Sequence, residues 1–547
     1  MADGPLIVQS DRTVLLEVAH PDAEAARHAL AVFAELERAP EHIHTYRITR
    51  LGLWNARAAG HTADDMLETL DRWSRFPVPP SVSTDLRDTV NRYGRLTIRR
   101  GDEGELLLAS DDRAVLQEVS RNKRIANLLL THPTPETWII DDWARGQIKQ
   151  ELLKIGWPAE DLAGYTPGTP HEIHLDEDGW NLRPYQQQAV DTFQHDGSGV
   201  VVLPCGAGKT LVGAGAMAAT GTTTLILVTN TVSARQWRDE LLKRTTLTED
   251  EIGEYSGQVK EIKPVTIATY QILTSKRKGQ YAHLDVLDAL DWGLIVYDEV
   301  HLLPAPVFKL TADLQARRRL GLTATLVRED GREGDVFSLI GPKRFDAPWK
   351  EIEAQGYISP AACYEVRIDL PASERLEYAA AADEDRYRIA STATAKIDAA
   401  REIIARHEGE QILVIGQYLD QLQELSDALG APQITGATPV DERERLFQAF
   451  REGSLKLLVV SKVANFSVDL PDASVAIQVS GSFGSRQEEA QRLGRLLRPK
   501  STDHTASFYT LIARDTVDQD FAQNRQRFLS EQGYSYEILD TDDLIAA

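Results

Sequence analysis

The heptapeptide Pro204-Cys205-Gly206-Ala207-Gly208-Lys209-Thr210 follows an apolar run, residues 200–203, and precedes a helical stretch. It ends as a GxGKT string but opens on proline where a glycine is usual, so its strand–turn–helix context carries more weight than the string. In that context the glycines let successive backbone N–H groups wrap a β-phosphate. Lys209 neutralises charge on the β- and γ-phosphates, and the Thr210 hydroxyl suits Mg2+. A second apolar run, residues 294–297, delivers Asp298-Glu299-Val300-His301 at its C-terminal end, where α/β sheets bind ligands. Asp298 suits a water-mediated Mg2+ contact, and Glu299 suits orienting and polarising an attacking water. A DExH string alone is weak; in this order, after a phosphate-binding turn, it points to hydrolysis of a nucleoside triphosphate.

Three further strings extend that chemistry. Gly321-Leu322-Thr323-Ala324-Thr325 places the small hydroxyls of Thr323 and Thr325 where they can bond the Asp298–His301 segment and relay nucleotide state. Gln491, Arg495 and Arg498 are spaced by four and three residues and share one helical face, from which arginines can reach a γ-phosphate as its transition-state charge develops. Leu182-Arg183-Pro184-Tyr185-Gln186 precedes a helix and suits an adenine clamp, Gln186 reading the base edge while Arg183 or Tyr185 stacks on it.

These residues need elements to hold them. β-Branched runs at 200–203, 223–228, 264–268 and 293–297 alternate with helical stretches, and the alternation recurs at 411–416, 456–460, 474–479 and 506–512. That texture predicts two successive α/β lobes with parallel sheets covered on both faces. Upstream, residues 1–80 read as mainly helical after an initial strand-like piece, with one helix opened by Pro21-Asp22 and another capped by Thr62. The proline cluster at 76–80 marks a boundary. Runs at 95–98 and 105–108 around Gly101 and Gly104 predict a hairpin, and the passage 166–179 reads as a linker. Trp138, Trp143 and Trp157 fit core packing, with base stacking as the alternative.

The chain has 547 residues, enough for several domains, and carries a net charge of −23, which excludes a general polyanion coat but not a confined basic channel. Its two cysteines, Cys205 and Cys363, form neither a disulfide framework nor a metal pair, as expected of a reducing cytosol. No basic-then-apolar leader is visible, and no apolar run approaches the roughly 18 residues that span a bilayer. The expectation is an intracellular protein, cytoplasmic and associated with the nucleoid, without membrane contact.

The ordered set resembles superfamily 2 helicases and, within them, the XPB family. The most specific stretch is 321–330, where Arg328-Glu329-Asp330 is similar to the family's RED motif; residues 339–343 and 353–358 continue the likeness. The resemblance covers about 180–513 and extends weakly upstream, residues 85–165 looking like the family's damage-recognition domain. It implies an ATP- and Mg2+-dependent 3′ to 5′ DNA helicase or translocase, with Arg328, Glu329 and Asp330 near the point of strand separation. It also implies repair or transcription-linked DNA opening as the setting. The fold class implied is α/β, two tandem RecA-like P-loop domains behind a helical N-terminal domain and a small mixed α/β damage-recognition-like domain. The expected bounds are 1–80, 85–165, 166–345 and 346–547, with a short thumb-like segment at about 374–396. The sequence departs from the family at Ala464-Asn465-Phe466, where Gly-Asp-Thr is usual. The flanking Ser461 and Asp469 match, Ser461 at DNA and Asp469 in coupling.

With DNA as polymer, Thr229, Gln236, Trp237, Thr269, Tyr270, Gln271 and Gln417 are candidate contacts, holding phosphates through hydroxyls, amides and helix N-termini without reading bases. Lys276-Arg277-Lys278 and Arg317-Arg318-Arg319 add charge, though such runs are more often solvated faces. The partner expected is DNA at single-strand/duplex junctions, including damaged DNA. Two other readings compete: a damage-binding translocase or scaffold that delivers a nuclease partner, and a P-loop kinase or transporter ATPase indifferent to DNA.

Overall fold

The computed structural model describes residues 4–39, 42–176, 178–204, 206–277, 280–326, 331–461, 473–481, 505–541 and 544. Cys205, Lys278, Arg328, Glu329, Asp330, Asp469, Gln491, Arg495 and Arg498 therefore lie outside the described residues. The chain divides into two compact units, one of residues 1–35, 46–203 and 208–347 and the other of 36–45, 204–207 and 348–547.

The N-terminal region is not mainly helical. Strands β1 (Leu6–Val8), β2 (Thr13–Glu17), β3 (Ala34–Arg38) and β4 (Ile43–Ile48) form a sheet of order β1-β2-β4-β3. Helices Ala23–Leu30, Arg50–Ala58 and Ala63–Trp73 accompany it. Along β4 the side chains of His44, Tyr46 and Ile48 are buried and their neighbours are not. That is strand periodicity, masked in the sequence by charged and polar residues on the outward face. Thr62 does cap its helix: its hydroxyl accepts from Asp65 N at 3.1 Å and Thr62 N donates back to the Asp65 carboxylate at 2.7 Å. Helix Pro80–Arg92 runs across the expected 80–85 boundary and packs on the N-terminal helices, with Trp54 Nε1 donating to Thr89 O at 2.9 Å.

Strands β5 (Leu96–Arg100), β6 (Leu106–Ala109), β7 (Thr137–Ile140) and β8 (Ala159–Asp161) form a second small sheet, ordered β7-β6-β5-β8. The expected hairpin is its centre, Arg100 facing Leu106. Trp157 joins the core beneath this sheet, Trp138 is half-buried against His132, and Trp143 is exposed. Helix Ala144–Lys154 then lies so close to helix Ala305–Asp313 that a Cβ on Gly146 would sit 2.5 Å from Ala312 O. The passage read as a linker is in fact tied down along the next sheet, with His171 N donating to Gly221 O and Thr223 N to Thr169 O, each at 2.9 Å.

That next sheet contains β9 (Ser198–Val202), β10 (Thr224–Val228), β11 (Ile252–Tyr255), β12 (Val265–Thr269), β15 (Leu294–Asp298), β16 (Arg318–Thr323) and β17 (Lys343–Asp346). A two-stranded ribbon, β13 (Lys276–Arg277) and β14 (Gln280–Tyr281), leaves it as a side branch. The order is β11-β12-β10-β15-β16-β9-β17 and every pairing is parallel. Its central strands are apolar and buried throughout, as a sheet covered on both faces requires.

The second unit repeats the plan with β18 (Ala361–Ile368), β19 (Ile412–Gly416), β20 (Gln433–Ile434), β21 (Leu457–Ser461), β22 (Val475–Gln478), β23 (Ala506–Ala513) and β24 (Tyr536–Asp540). They are ordered β20-β21-β19-β22-β23-β18-β24, again in parallel. The segment expected to form a thumb is two helices, Ala372–Ala380 and Asp383–Ser391. The second is folded into its own lobe: Tyr387 is buried and meets Phe521 edge-on with centroids 4.8 Å apart. Arg386 and Arg388 are bound to Asp383 and Asp420.

Candidate functional site: a phosphate-binding turn beside a carboxylate pair

Parallel register brings the chemistry to one sheet edge. β16 lies between β9 and β15, with Thr323 opposite Val202 and Leu322 opposite Asp298. The turn after β9, the acidic string after β15 and the hydroxyl string ending β16 are therefore neighbours, although some 90 residues separate Lys209 from Glu299. Leu203 N donates to Thr323 O at 2.9 Å and locks the departure of the turn. Gly206 and Gly208 both have φ of +81°, a conformation that only glycine adopts without strain. Helix Lys209–Thr220 follows and aims its N-terminus back across the turn.

Lys209 Nζ lies 3.0 Å from Glu299 Oε1, and both side chains are largely enclosed. Glu299 itself has φ +47° and ψ +53°, a left-handed conformation that costs a non-glycine residue about 1–2 kcal/mol and tends to persist where neighbouring structure enforces it. Asp298 keeps some exposed surface, but its carboxylate lies deep among protein atoms. That desolvation, with the Glu299 charge alongside, pushes its pKa up to about 6. Two adjoining carboxylates and the half-buried Thr210 hydroxyl make a hard-oxygen donor set that a divalent cation would relieve, so the residues present fit Mg2+.

His301 and Thr323 are buried and meet at 2.6 Å between Nδ1 and Oγ1. Thr323 Oγ1 donates to Thr325 O at 2.6 Å, which leaves His301 Nδ1 as donor to the threonine oxygen. The acidic and hydroxyl strings are thus bonded directly.

Upstream of the turn, Gln186 Oε1 accepts from Arg183 N at 2.9 Å, and its amide packs so tightly on Gly208 that a Cβ there would lie 2.4 Å from Gln186 Nε2. Arg183 Nη1 reaches Tyr185 OH at 3.2 Å. The trio does adjoin the turn, but Tyr185 and Gln186 are buried, so Arg183 keeps the accessible face.

The candidate DNA residues divide by exposure. Val228 is opposite Thr269 and Leu227 opposite Tyr297, so the turns after β10, β12 and β15 stand side by side. Thr229 is half-exposed there, and Gln236 and Gln271 are exposed. Trp237, Thr269 and Tyr270 are buried and cannot present surface to a strand. Their polar atoms turn inward: Trp237 Nε1 donates to Asp298 Oδ2 at 2.9 Å, Tyr270 OH donates to Asp298 O at 2.7 Å, and Thr269 caps helix Tyr270–Thr274. In the second sheet Gly416 is opposite Ser461, which brings Gln417 and Ser461 to one edge, though Ser461 is buried. Of the Arg317–Arg319 run, Arg319 is buried and donates to Leu339 O and Gln315 O, and Arg317 is bound to Asp291. Neither is a phosphate track.

Sequence reasoning missed three buried polar clusters: Trp237 and Tyr270 on Asp298, Arg145 and Lys149 on Asp161, and Lys396 on Asp518. The available signal was a tryptophan about two turns inside a helix, since a buried indole N–H needs an acceptor. For the lysines there was none, because nothing local distinguishes a buried cation from a solvated one.

Paired parallel α/β sheets, with a phosphate-binding turn, an acidic string and a hydroxyl string converging on the first, define a tandem RecA-like P-loop ATPase of the helicase type. Residues 352–546 match the family model described as ERCC3/RAD25/XPB C-terminal helicase, 179–328 that of the type III restriction enzyme res subunit, and 6–133 that of a helicase conserved C-terminal domain. The chain is 67% identical over 544 residues to the DNA 3′-5′ helicase XPB of Kineococcus radiotolerans, covering 100% of this chain and 98% of the relative. It is 64% identical over 545 residues to the protein of the same name in Mycobacterium tuberculosis, covering 100% and 99%. It is 32% identical over 613 residues to the general transcription and DNA repair factor IIH helicase/translocase subunit XPB/SSL2 of Saccharomyces cerevisiae, covering 98% and 72%. The chain belongs to the XPB helicase family.

Proposed function

We propose that this chain is an ATP-driven 3′ to 5′ DNA helicase or translocase that opens DNA for repair or transcription and acts at the nucleoid. The observation that carries the reading is the convergence of Lys209, Asp298, Glu299 and Thr323 at one sheet edge, with the half-exposed Thr229 and the exposed Gln236 and Gln271 on the neighbouring segments.

A γ-phosphate entering beside Gly206 and Gly208 competes for the Lys209 ammonium, which now contacts Glu299. Release leaves the Glu299 carboxylate to orient a water on phosphorus and take its proton as the bridging P–O bond breaks and ADP departs. Thr210 and Asp298 are the residues that would hold Mg2+, whose chemistry is to neutralise charge on the phosphate oxygens. Arg183 faces the adenine with Gln186 packed behind it, Arg495 and Arg498 supply positive charge to the γ-phosphate, and Gln491 supplies a neutral amide donor. Thr323 passes the state of the His301 segment onward, and Arg328, Glu329 and Asp330 act where strands part. Among the described residues no helix is long and apolar enough to cross a membrane, and the reading requires none.

Lys209→Ala and Glu299→Gln should each lower DNA-stimulated ATP turnover by about 100-fold or more with the circular dichroism spectrum unchanged. Unaltered turnover in either variant overturns these roles. The wild-type protein should displace strands from 3′-tailed but not 5′-tailed duplexes, and the opposite preference overturns the polarity.

A further inference from the structure

Asp298 is gripped from two directions by side chains that belong to the segments read as the DNA track. Trp237 lies in helix Thr231–Arg244, which starts directly after the turn at Thr229 and Asn230; its indole N–H bonds the Asp298 carboxylate. Tyr270 opens the short helix after β12, and its hydroxyl bonds the carbonyl of Asp298, the peptide that leads into the left-handed Glu299. The other carboxylate oxygen accepts from Glu299 N at 3.0 Å. One donor thus orients the carboxylate and another orients the peptide that follows it.

The indole has no slack. A Cβ on Gly213, in the helix that follows the phosphate-binding turn, would lie 2.4 Å from Trp237 Cη2, so the ring fills the space between that helix and β15. A displacement of helix Thr231–Arg244 is passed to Asp298 rather than absorbed, because close-packed groups shift together. A buried indole or phenol needs some acceptor in any protein. Here two donors from two separate turns choose the same residue, and that residue is the expected Mg2+ contact beside the expected catalytic carboxylate.

We propose that Trp237 and Tyr270 are positioning residues that transmit DNA contact at Thr229, Gln236 and Gln271 to Asp298 and Glu299, and so set how strongly DNA stimulates hydrolysis. This rests on the reading of those turns as the DNA track. Without DNA the two bonds hold Asp298 in one orientation. A phosphate backbone held by Thr229, Gln236 and Gln271 shifts the segments that carry Trp237 and Tyr270, and the carboxylate and the Glu299 peptide move with them.

The test uses the full chain with Tyr270→Phe, which removes one donor and keeps the ring, and Trp237→Phe, which removes the other and leaves a small cavity whose cost the melting temperature reads. ATP turnover is measured with and without single-stranded DNA, alongside DNA affinity and thermal melting. The ratio of stimulated to basal kcat should fall on the order of tenfold in Trp237→Phe, about the worth of one hydrogen bond to a charged group, and by roughly fivefold in Tyr270→Phe, whose bond is to a neutral carbonyl, with DNA affinity unchanged in both. A second readout needs neither nucleotide nor Mg2+: DNA should alter hydrogen exchange at the amides of residues 299–301 in the wild type and not in the variants. The relay is overturned if both variants keep the wild-type ratio. It is equally overturned if basal and stimulated turnover fall by a common factor with a lower melting temperature, which would mark a merely structural role. A wild type that binds DNA but is not stimulated by it defeats the relay alone, whereas one that binds no DNA defeats the functional reading itself.

Discussion

Glu299 combines two demands that rarely coincide in one residue: a carboxylate aimed at Lys209 and a backbone at φ +47°. Glycine would relax the backbone and lose the carboxylate, so a glutamate kept there in spite of strain fits a chemical role. Comparing Glu299→Gly with Glu299→Ala isolates the strain, because both lack the carboxylate. Against the usual order, the glycine variant should be the more stable by about 1 kcal/mol, read from denaturant midpoints. An alanine variant as stable as the glycine one would show that the left-handed turn relaxes in solution.

At the scale of elements, helix Ala144–Lys154 is pinned by charge as well as by close packing. Arg145 and Lys149 both hold Asp161, at 2.8 and 2.7 Å, and Lys149 Nζ also reaches Gln315 Oε1 at 2.5 Å. Burial alone would raise the Asp161 carboxyl, but the two cations outweigh it and hold it below the ordinary carboxylate range. Burial pulls Lys149 down to about 8. Since the unfolded lysine titrates near 10.4, the unfolded chain binds the extra proton between those values, and this residue's contribution to stability grows as pH rises through that window. Hydrogen exchange in helix Ala144–Lys154 should therefore slow relative to Lys149→Met between pH 7 and pH 10, by about 2–3 kcal/mol in opening free energy after correction for intrinsic rates. A difference that stays flat with pH would mean that Lys149 keeps its proton in the folded protein throughout that range. The same exchange data bear on mechanics, because this helix also adjoins Glu333–Leu339 through Gln150 and Asp335 at 2.7 Å.

For the molecule as a whole, a net charge of −23 sets the terms on which a polyanion can bind. Repulsion by the acidic exterior disfavours indiscriminate adhesion, so affinity must come from a confined set of phosphate contacts. Binding of single-stranded DNA should weaken steeply with salt, log K falling by about 0.7 per contacted phosphate for each unit of log salt concentration. A track of about four phosphates would lose affinity some fiftyfold between 50 and 200 mM salt. Affinity indifferent to salt would exclude a phosphate-holding track and favour base stacking.

Much of this was legible in the residues themselves. The phosphate-binding turn, the acidic string and the hydroxyl string each sit at the end of an apolar run, and a parallel sheet carries all such ends to one edge, so the sequence alone implies that Lys209, Asp298 and Thr323 are neighbours. The N-terminal sheet was not legible, because β4 alternates buried and exposed residues with too few apolar ones to declare a strand. The roles of Trp237, Tyr270, Arg319 and Lys396 were not legible either. A polar group on a helix or strand reads the same whether it meets water or a partner brought in from a hundred residues away. Local pattern determines which element forms and where its end lies; only packing decides which side chains lose their water, and with it what their donors must bond.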